Sequence, residues 1–228
     1  MTQSSLTRSD LATYFDHTLL RADATRAGFE KLCGEAREYG FAMVAVNPSP
    51  VRLCRELLAG TDVHVGAAIA FPLGQNTIAQ KVAEATSAMD DGADEIDYVL
   101  NVGELKDGNL DLIEREMAAM VQACRERDVL SKVILETCYL TDDEKRSVVG
   151  IASAVRPDFV KTSTGFGTGG ATAHDIELLS AVIAHGVRVK ASGGVRTLDD
   201  ALTYISLGAT RLGSSASVSI VEEYSDER

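Results

Sequence analysis

A chain of 228 residues with apolar residues spread evenly along it is long enough for one large domain, and nothing in the pattern divides it. Its formal net charge of -12, with basic residues dispersed rather than striped on one face, excludes the usual nucleic-acid binder, so an anionic substrate would need a local positive site. No stretch approaches the roughly 18 uncharged apolar residues of a membrane span. The start, MTQSSLTRSD, lacks a signal-peptide pattern, so a cytoplasmic protein with no membrane partner is expected.

Short β-branched or apolar runs recur along the chain, each followed by a segment of helical periodicity, which implies βα units around a parallel sheet. The first run is Tyr14–His17, with a helix from near Thr25. Phe41–Val46 leads to a helix near Pro50, and Val63–Ala70 to one near Asn76. Glu95–Leu100 precedes an amphipathic helix that opens at Asn109, runs through Met117, Met120, Val121 and Cys124, and has Arg125 and Arg127 near its end. Lys132–Thr137 is followed by an S/T-x-x-E capping box, Thr141 to Glu144, that starts a helix at Asp142. Asp158–Thr162 and Arg188–Ala191 precede helices from Thr172 and Thr197, and Thr210–Leu212 is the eighth strand. Runs such as FAMVAV and VHVGAAIA are nearly continuous, as strands buried on both faces require. The four prolines fall in connections or at helix starts. The expected fold is α/β, a (β/α)8 TIM barrel whose eight-stranded parallel barrel forms a single domain over 1–228; a doubly wound open sheet is the alternative.

Cys33, Cys54, Cys124 and Cys138 form no CxxC pair and are expected to be reduced structural thiols. The four histidines show no HxH or HExxH spacing, so no metal is expected. Only 7 of the 22 basic residues are Lys, a balance compatible with a salty cytoplasm; stability that fails to rise with KCl would remove that idea.

In a barrel the chemistry sits at the C-terminal strand ends and the loops beyond them. Strand one ends in Asp16, His17 and Thr18, strand four contains Asp97 and ends at Asn101, and strand five ends in Glu136 and Thr137. Strands six and seven deliver Lys161 and Lys190, and strand eight runs into Gly213, Ser214 and Ser215. Two lysines inside apolar strands are the main anomaly, because lysine is rarely buried without a partner. Each could simply pair with a carboxylate at the barrel mouth. The alternative is chemical. A free lysine amine has a pKa near 10.4, leaving about one in two thousand neutral at pH 7. Desolvation and a second ammonium both disfavour the charged form, so Lys190 on the neighbouring strand can activate Lys161 as an imine-forming nucleophile. Asp97 supplies a carboxylate able to work with a water as acid and base. The glycine turns STGFGTGG, SGGVR and LGSS offer backbone N–H groups to a phosphate, and Lys190 and Arg196 offset the negative net charge. His17, Glu136 and Cys138 are expected to position or pack, Glu136 by an ion pair that orients rather than reacts.

At these residues the chain resembles the deoxyribose-phosphate aldolases, class I enzymes of the aldolase barrel superfamily. The resemblance runs in order through DHTLL at 16–20, VAVNPSPV at 44–51, GAAIAFPLG at 66–74, DEIDYVLNVG at 94–103 and KVILETC at 132–138. It continues through FVKTSTGFGTGGAT at 159–172, VKASGGVRT at 189–197 and RLGSSA at 211–216. It implies reversible cleavage of 2-deoxy-D-ribose 5-phosphate to D-glyceraldehyde 3-phosphate and acetaldehyde in deoxyribonucleoside breakdown, without metal or cofactor, by a homodimer or higher homo-oligomer. It implies that Lys161 forms the Schiff base, that Lys190 lowers its pKa and that Asp97 takes part in proton transfer. Asp16 matches an acid near the second lysine, and Thr164 a substrate contact. Gly165, Gly193, Gly194, Ser214 and Ser215 fall in phosphate-holding segments, with Gly213 allowing the turn. Two departures stand out. Phe166 occupies a position that is basic in some members, and Tyr224, in the acidic tail, has no established counterpart among their C-terminal tyrosines. The rival readings are a barrel lyase acting through the same lysine on a longer ketose phosphate, and a non-enzymatic sensor of sugar phosphates.

Overall fold

Buried strands of three to six residues with a helix after each can close only if every strand finds two parallel neighbours, and in the computed structural model they do. The structure describes residues 6–225, so the first five residues of the N-terminal stretch and the last three of the acidic tail lie outside the description. The strands are β1 Phe15–Leu19, β2 Met43–Val46, β3 His64–Ile69, β4 Glu95–Val99, β5 Leu130–Ile134, β6 Phe159–Lys161, β7 Arg188–Ser192 and β8 Ala209–Ser214. They pair in chain order and β8 returns to β1, giving a closed parallel barrel and removing the open-sheet alternative. The helices are α1 Arg8–Ala12, α2 Arg26–Tyr39, α3 Val51–Leu57, α4 Ile78–Asp90, α5 Val102–Lys106, α6 Leu110–Arg125, α7 Asp142–Val155, α8 Ala173–Val182, α9 Leu198–Ser206 and α10 Ser217–Glu223. Among the described residues none is long and apolar enough to cross a membrane.

Helix starts follow from side-chain chemistry. Thr25, Thr77, Thr141, Thr172 and Thr197 stand in extended backbone ahead of α2, α4, α7, α8 and α9, and each hydroxyl accepts the N–H three residues on. The Thr141–Glu144 box forms as expected, whereas the start expected near Asn76 falls one residue later because Thr77 with Gln80 makes a second box.

Strand residues alternate between two environments. Val44, Val65, Ile96, Val133, Val160 and Val189 join the apolar faces of the helices in one buried cluster. Their alternates fill the barrel interior, and many are charged. Outside the barrel, Lys81 Nζ of α4 donates to the Val99 carbonyl at 2.8 Å and pairs with Glu116 of α6 at 2.7 Å, tying the end of β4 to two helices.

Three expectations are corrected. β5 stops at Ile134 rather than Thr137, because Glu136 takes a left-handed conformation (φ 46°) and Thr137–Tyr139 form a short 3-10 turn. Asn101 is not a strand end; its side chain caps α5 by accepting the Glu104 N–H. β8 extends through Gly213 and Ser214, so Gly213 belongs to a strand rather than a turn, and its smallness has another cause. A Cβ there would lie 2.8 Å from Ser192 Cβ and 3.3 Å from Lys190 Cε, so glycine makes room for Ser192 first and then for the Lys190 chain.

Candidate active site

The barrel interior is a network of seven charged side chains. β4 sends Glu95 and Asp97, two residues apart, to the same face; the register aligns Asp97 with Lys132 of β5, and Lys161 of β6 with Lys190 of β7. Asp97 is the hub. Its Oδ2 accepts from Lys161 Nζ at 2.8 Å and Lys190 Nζ at 2.7 Å, and its Oδ1 from Lys132 Nζ at 2.5 Å. Lys190 also pairs with Asp16 of β1, and Lys132 with Glu95. Arg211 of β8 donates to Asp16 Oδ1 at 2.6 Å and stands 3.4 Å from Glu95. Asp97, Lys132, Lys161 and Lys190 are all buried.

Three carboxylates here face four cations, so the network is balanced when one cation is neutral, and the surroundings select which. Burial opposes the charge on Lys132, but Asp97, Glu95 and Asp16 outweigh it and hold that ammonium well above its usual range. Burial likewise opposes the Arg211 charge and is likewise outweighed, by Asp16 and Glu95. Asp97 is pushed up by burial and pulled down further by Lys132, Lys161 and Lys190, so it stays ionised well below the ordinary carboxylate range. Lys161 goes the other way. Burial, helped by the charges of Lys190 and Lys132 and opposed by Asp97, lowers its pKa to about 8. About one amine in ten is then neutral at pH 7.

Above Lys161 opens a cavity of about 360 Å³. Its lining includes Lys161, Lys190, Thr164, Gly165, Gly193, Gly194, Gly213, Ser214 and Ser215, together with Arg21 and Arg196 at the rim. Asp97 and Asp16 lie below, touching the lysines rather than the cavity. Gly193 and Gly194 have φ of 79° and 80°, a succession that glycine adopts without steric cost. The N–H groups of Gly165, Gly193 and Gly194 donate to no backbone acceptor among the described residues. Such a nest beside two arginines suits a phosphate. The Ser214 hydroxyl is committed to the Val195 carbonyl at 2.7 Å, which leaves Ser215 the exposed serine of that turn.

Glu136 orients no lysine: its two oxygens accept from Thr164 N at 3.2 Å and Thr164 Oγ1 at 2.5 Å, pinning the loop after β6. His17 points away from the cavity, with Nε2 3.0 Å from Glu35, and packs on Phe41. Tyr224 donates to the Leu6 carbonyl, in the segment leading into the first strand, and lines neither of the two cavities at the barrel mouth. All four cysteines are free. Among the described residues no group of three His, Cys, Asp or Glu could hold a metal ion. Sequence reasoning missed Lys132, Glu95 and Arg211. The available signal was a third lysine in an apolar strand and a second acid two residues before Asp97.

A parallel barrel with an amine of lowered pKa and a glycine nest lining the same cavity has the build of a barrel enzyme that works on phosphorylated carbonyl compounds. Residues 11–217 match the family described as DeoC/LacD family aldolase, and the chain belongs to that family. It is 51% identical to a deoxyribose-phosphate aldolase of Bacteroides thetaiotaomicron over 98% of this chain and 94% of that one. It is 50% identical to one of Lactobacillus acidophilus, over 95% and 91%. Among solved structures, a putative deoxyribose-phosphate aldolase from Coccidioides immitis superposes with a TM-score of 0.92 at 42% identity, covering 95% of this chain and 86% of that one. The tetrameric deoxyribose phosphate aldolase from Aeropyrum pernix gives 0.89 at 31%, covering 95% and 91%. The chain is thus an aldolase, a carbon–carbon lyase.

Proposed function

We propose that this enzyme is a class I aldolase that reversibly cleaves 2-deoxy-D-ribose 5-phosphate to D-glyceraldehyde 3-phosphate and acetaldehyde, in cytoplasmic deoxyribonucleoside breakdown, and that it works as a homo-oligomer. The observation that carries the mechanism is the lowered pKa of Lys161 in a cavity that the glycine nest also lines. The relatives' names supply the substrate.

In the cleavage direction the neutral Lys161 amine adds to the C1 aldehyde of the open-chain sugar and water leaves, giving an imine. The C3 hydroxyl loses its proton, the C2–C3 bond breaks, and its electron pair flows into the imine to form an enamine. Glyceraldehyde 3-phosphate departs. Protonation at C2 and hydrolysis then release acetaldehyde and restore the amine. Asp97, bonded to Lys161 and Lys190 together, passes protons with a water as relay. Lys190 keeps Lys161 from holding its proton, and Asp16 and Arg211 keep Lys190 in place. The N–H groups of Gly165, Gly193, Gly194 and Ser215 hold the phosphate, Thr164 contacts the substrate as part of the cavity wall, and Gly213 and Ser214 shape that turn.

The test is release of acetaldehyde from deoxyribose 5-phosphate by the wild-type protein. Turnover supports the reading; tight binding without turnover would favour a sensor, and cleavage confined to a longer ketose phosphate would move the substrate.

A further inference from the structure

Phe166, five residues past the reactive lysine, lies on the walls of two cavities at the barrel mouth and is the residue that they share. The first is the substrate cavity. The second, about 330 Å³, is bounded by Leu73, Gln75, Val102, Gly103, Glu136 and Tyr139 on the loops after β3, β4 and β5, and the proposed reaction makes no use of it. Among the described residues four large apolar side chains are exposed, and three of them, Leu73 (70%), Tyr139 (45%) and Phe166 (55%), line this one cavity. That concentration of solvent-exposed apolar surface asks for an occupant. The one charged side chain on its wall, Glu136, is held by Thr164, from which both of its oxygens accept.

The barrel order says which part of a substrate would reach it. In a ring of eight strands, β3 and β4 stand opposite β7 and β8, whose loops form the phosphate nest. A molecule that spans the nest and Lys161 therefore leaves the β3 and β4 side of the mouth to a substituent that branches from the donor carbons. Two aromatic rings block the way. Lys161 Nζ lies 5.4 Å from the centre of the Phe71 ring, and Phe71 packs edge-on against Phe166 with ring centres 6.5 Å apart.

We propose that the second cavity is an accessory subsite for the hydrocarbon chain of a carbonyl donor longer than acetaldehyde, and that Phe166 is the specificity-determining residue that separates it from Lys161. The proposal rests on the aldolase reading above. In the synthetic direction the Lys161 amine adds to the donor aldehyde and water leaves; a proton leaves the donor α-carbon to give the enamine. That carbon forms the new bond to the aldehyde carbon of glyceraldehyde 3-phosphate, whose oxygen takes up a proton, and hydrolysis frees Lys161. The alkyl chain on the α-carbon is a spectator whose only need is room, and the Phe71–Phe166 partition withholds it.

The test compares acetaldehyde with pentanal as donors to glyceraldehyde 3-phosphate in the wild type, in Phe166→Ala and in Phe166→Ala with Gly103→Leu. Truncating the ring should raise the pentanal-to-acetaldehyde ratio of kcat/KM by about tenfold or more, since small changes of fit in an apolar pocket discriminate on that scale. Adding Gly103→Leu should cancel the gain. Gly103 lies in α5, and outside that helix's own backbone a Cβ there would meet only the side chains of Asn101 (Oδ1, 3.4 Å) and Gln75 (Nε2, 3.7 Å), so the new side chain fills the cavity without displacing another backbone segment. Phe166→Leu carries the same expectation, at smaller amplitude, should the alanine variant not fold. A folded variant that cleaves deoxyribose 5-phosphate with an unchanged donor ratio would overturn the proposal, as would a gain that survives Gly103→Leu. Wild-type protein that fails to cleave deoxyribose 5-phosphate would instead overturn the functional reading itself.

Discussion

Replacing Lys190 by leucine removes a cation that shares Asp97 Oδ2 with Lys161, at 2.7 and 2.8 Å respectively. The Lys161 pKa of about 8 has burial as its largest cause, and burial survives the substitution. The repulsion from Lys190 does not survive, and the Asp97 oxygen then serves Lys161 without that competitor. Both changes raise the Lys161 pKa. Each unit of rise lowers the neutral fraction at pH 7 about tenfold, and a full return to the ordinary value would lower it about two-hundredfold. The expected loss of kcat/KM at pH 7 thus lies between about tenfold and about two-hundredfold, and it should shrink as the pH is raised past about 9. The assay is a pH series of deoxyribose 5-phosphate cleavage for wild type and Lys190→Leu, with circular dichroism to check folding. Activity within about twofold of wild type at pH 7 would refute the pKa argument. A loss of constant size at every pH would also refute it and would assign Lys190 to proton transfer or binding.

Lys161→Met should stabilise the fold at the expense of activity. The folded pKa is about 8 against an ordinary 10.5, so the unfolded chain binds the proton more tightly, and the cost of burying the ammonium is full below pH 8 and fades toward pH 10.5. The gain should be about 3 kcal/mol at pH 7, read by urea unfolding, and should vanish in alkali; a gap that is absent or independent of pH contradicts it. Lys132→Met should do the opposite, because it leaves Asp97 and Glu95 buried without their partner. A loss of about 3 to 5 kcal/mol in thermal or urea unfolding is expected. At Gly194 a Cβ meets nothing within 4 Å but the φ of 80° is strained for alanine, so Gly194→Ala should disturb the nest and little else. Its KM should rise for deoxyribose 5-phosphate and stay near wild type for unphosphorylated deoxyribose; equal effects on both would argue against a phosphate site there.

The alternation of apolar runs and helical periodicity announced the barrel, and threonine caps announced the starts of α2, α7, α8 and α9, because both signals are local. Short α1, α5 and α10, of five to seven residues, carry too little periodicity to register. Lys161 and Lys190 were legible as lysines in apolar strands. Lys132 satisfied the same description: five of the chain's seven lysines are buried, and it is one of them. What the sequence hides is register. Only the β4–β5 alignment that sets Asp97 beside Lys132 shows that the carboxylate expected to work with a water also holds three lysines. The second cavity was hidden for a similar reason, since its walls come from four loops distant in sequence.

The central claim is that Lys161, and no other lysine, forms the imine. Borohydride reduction in the presence of acetaldehyde, followed by peptide mass spectrometry, tests it most directly. The account predicts a single two-carbon group on Lys161, formed faster as the pH rises toward 8; labelling at Lys190 or Lys132, or no label on folded protein, would contradict it.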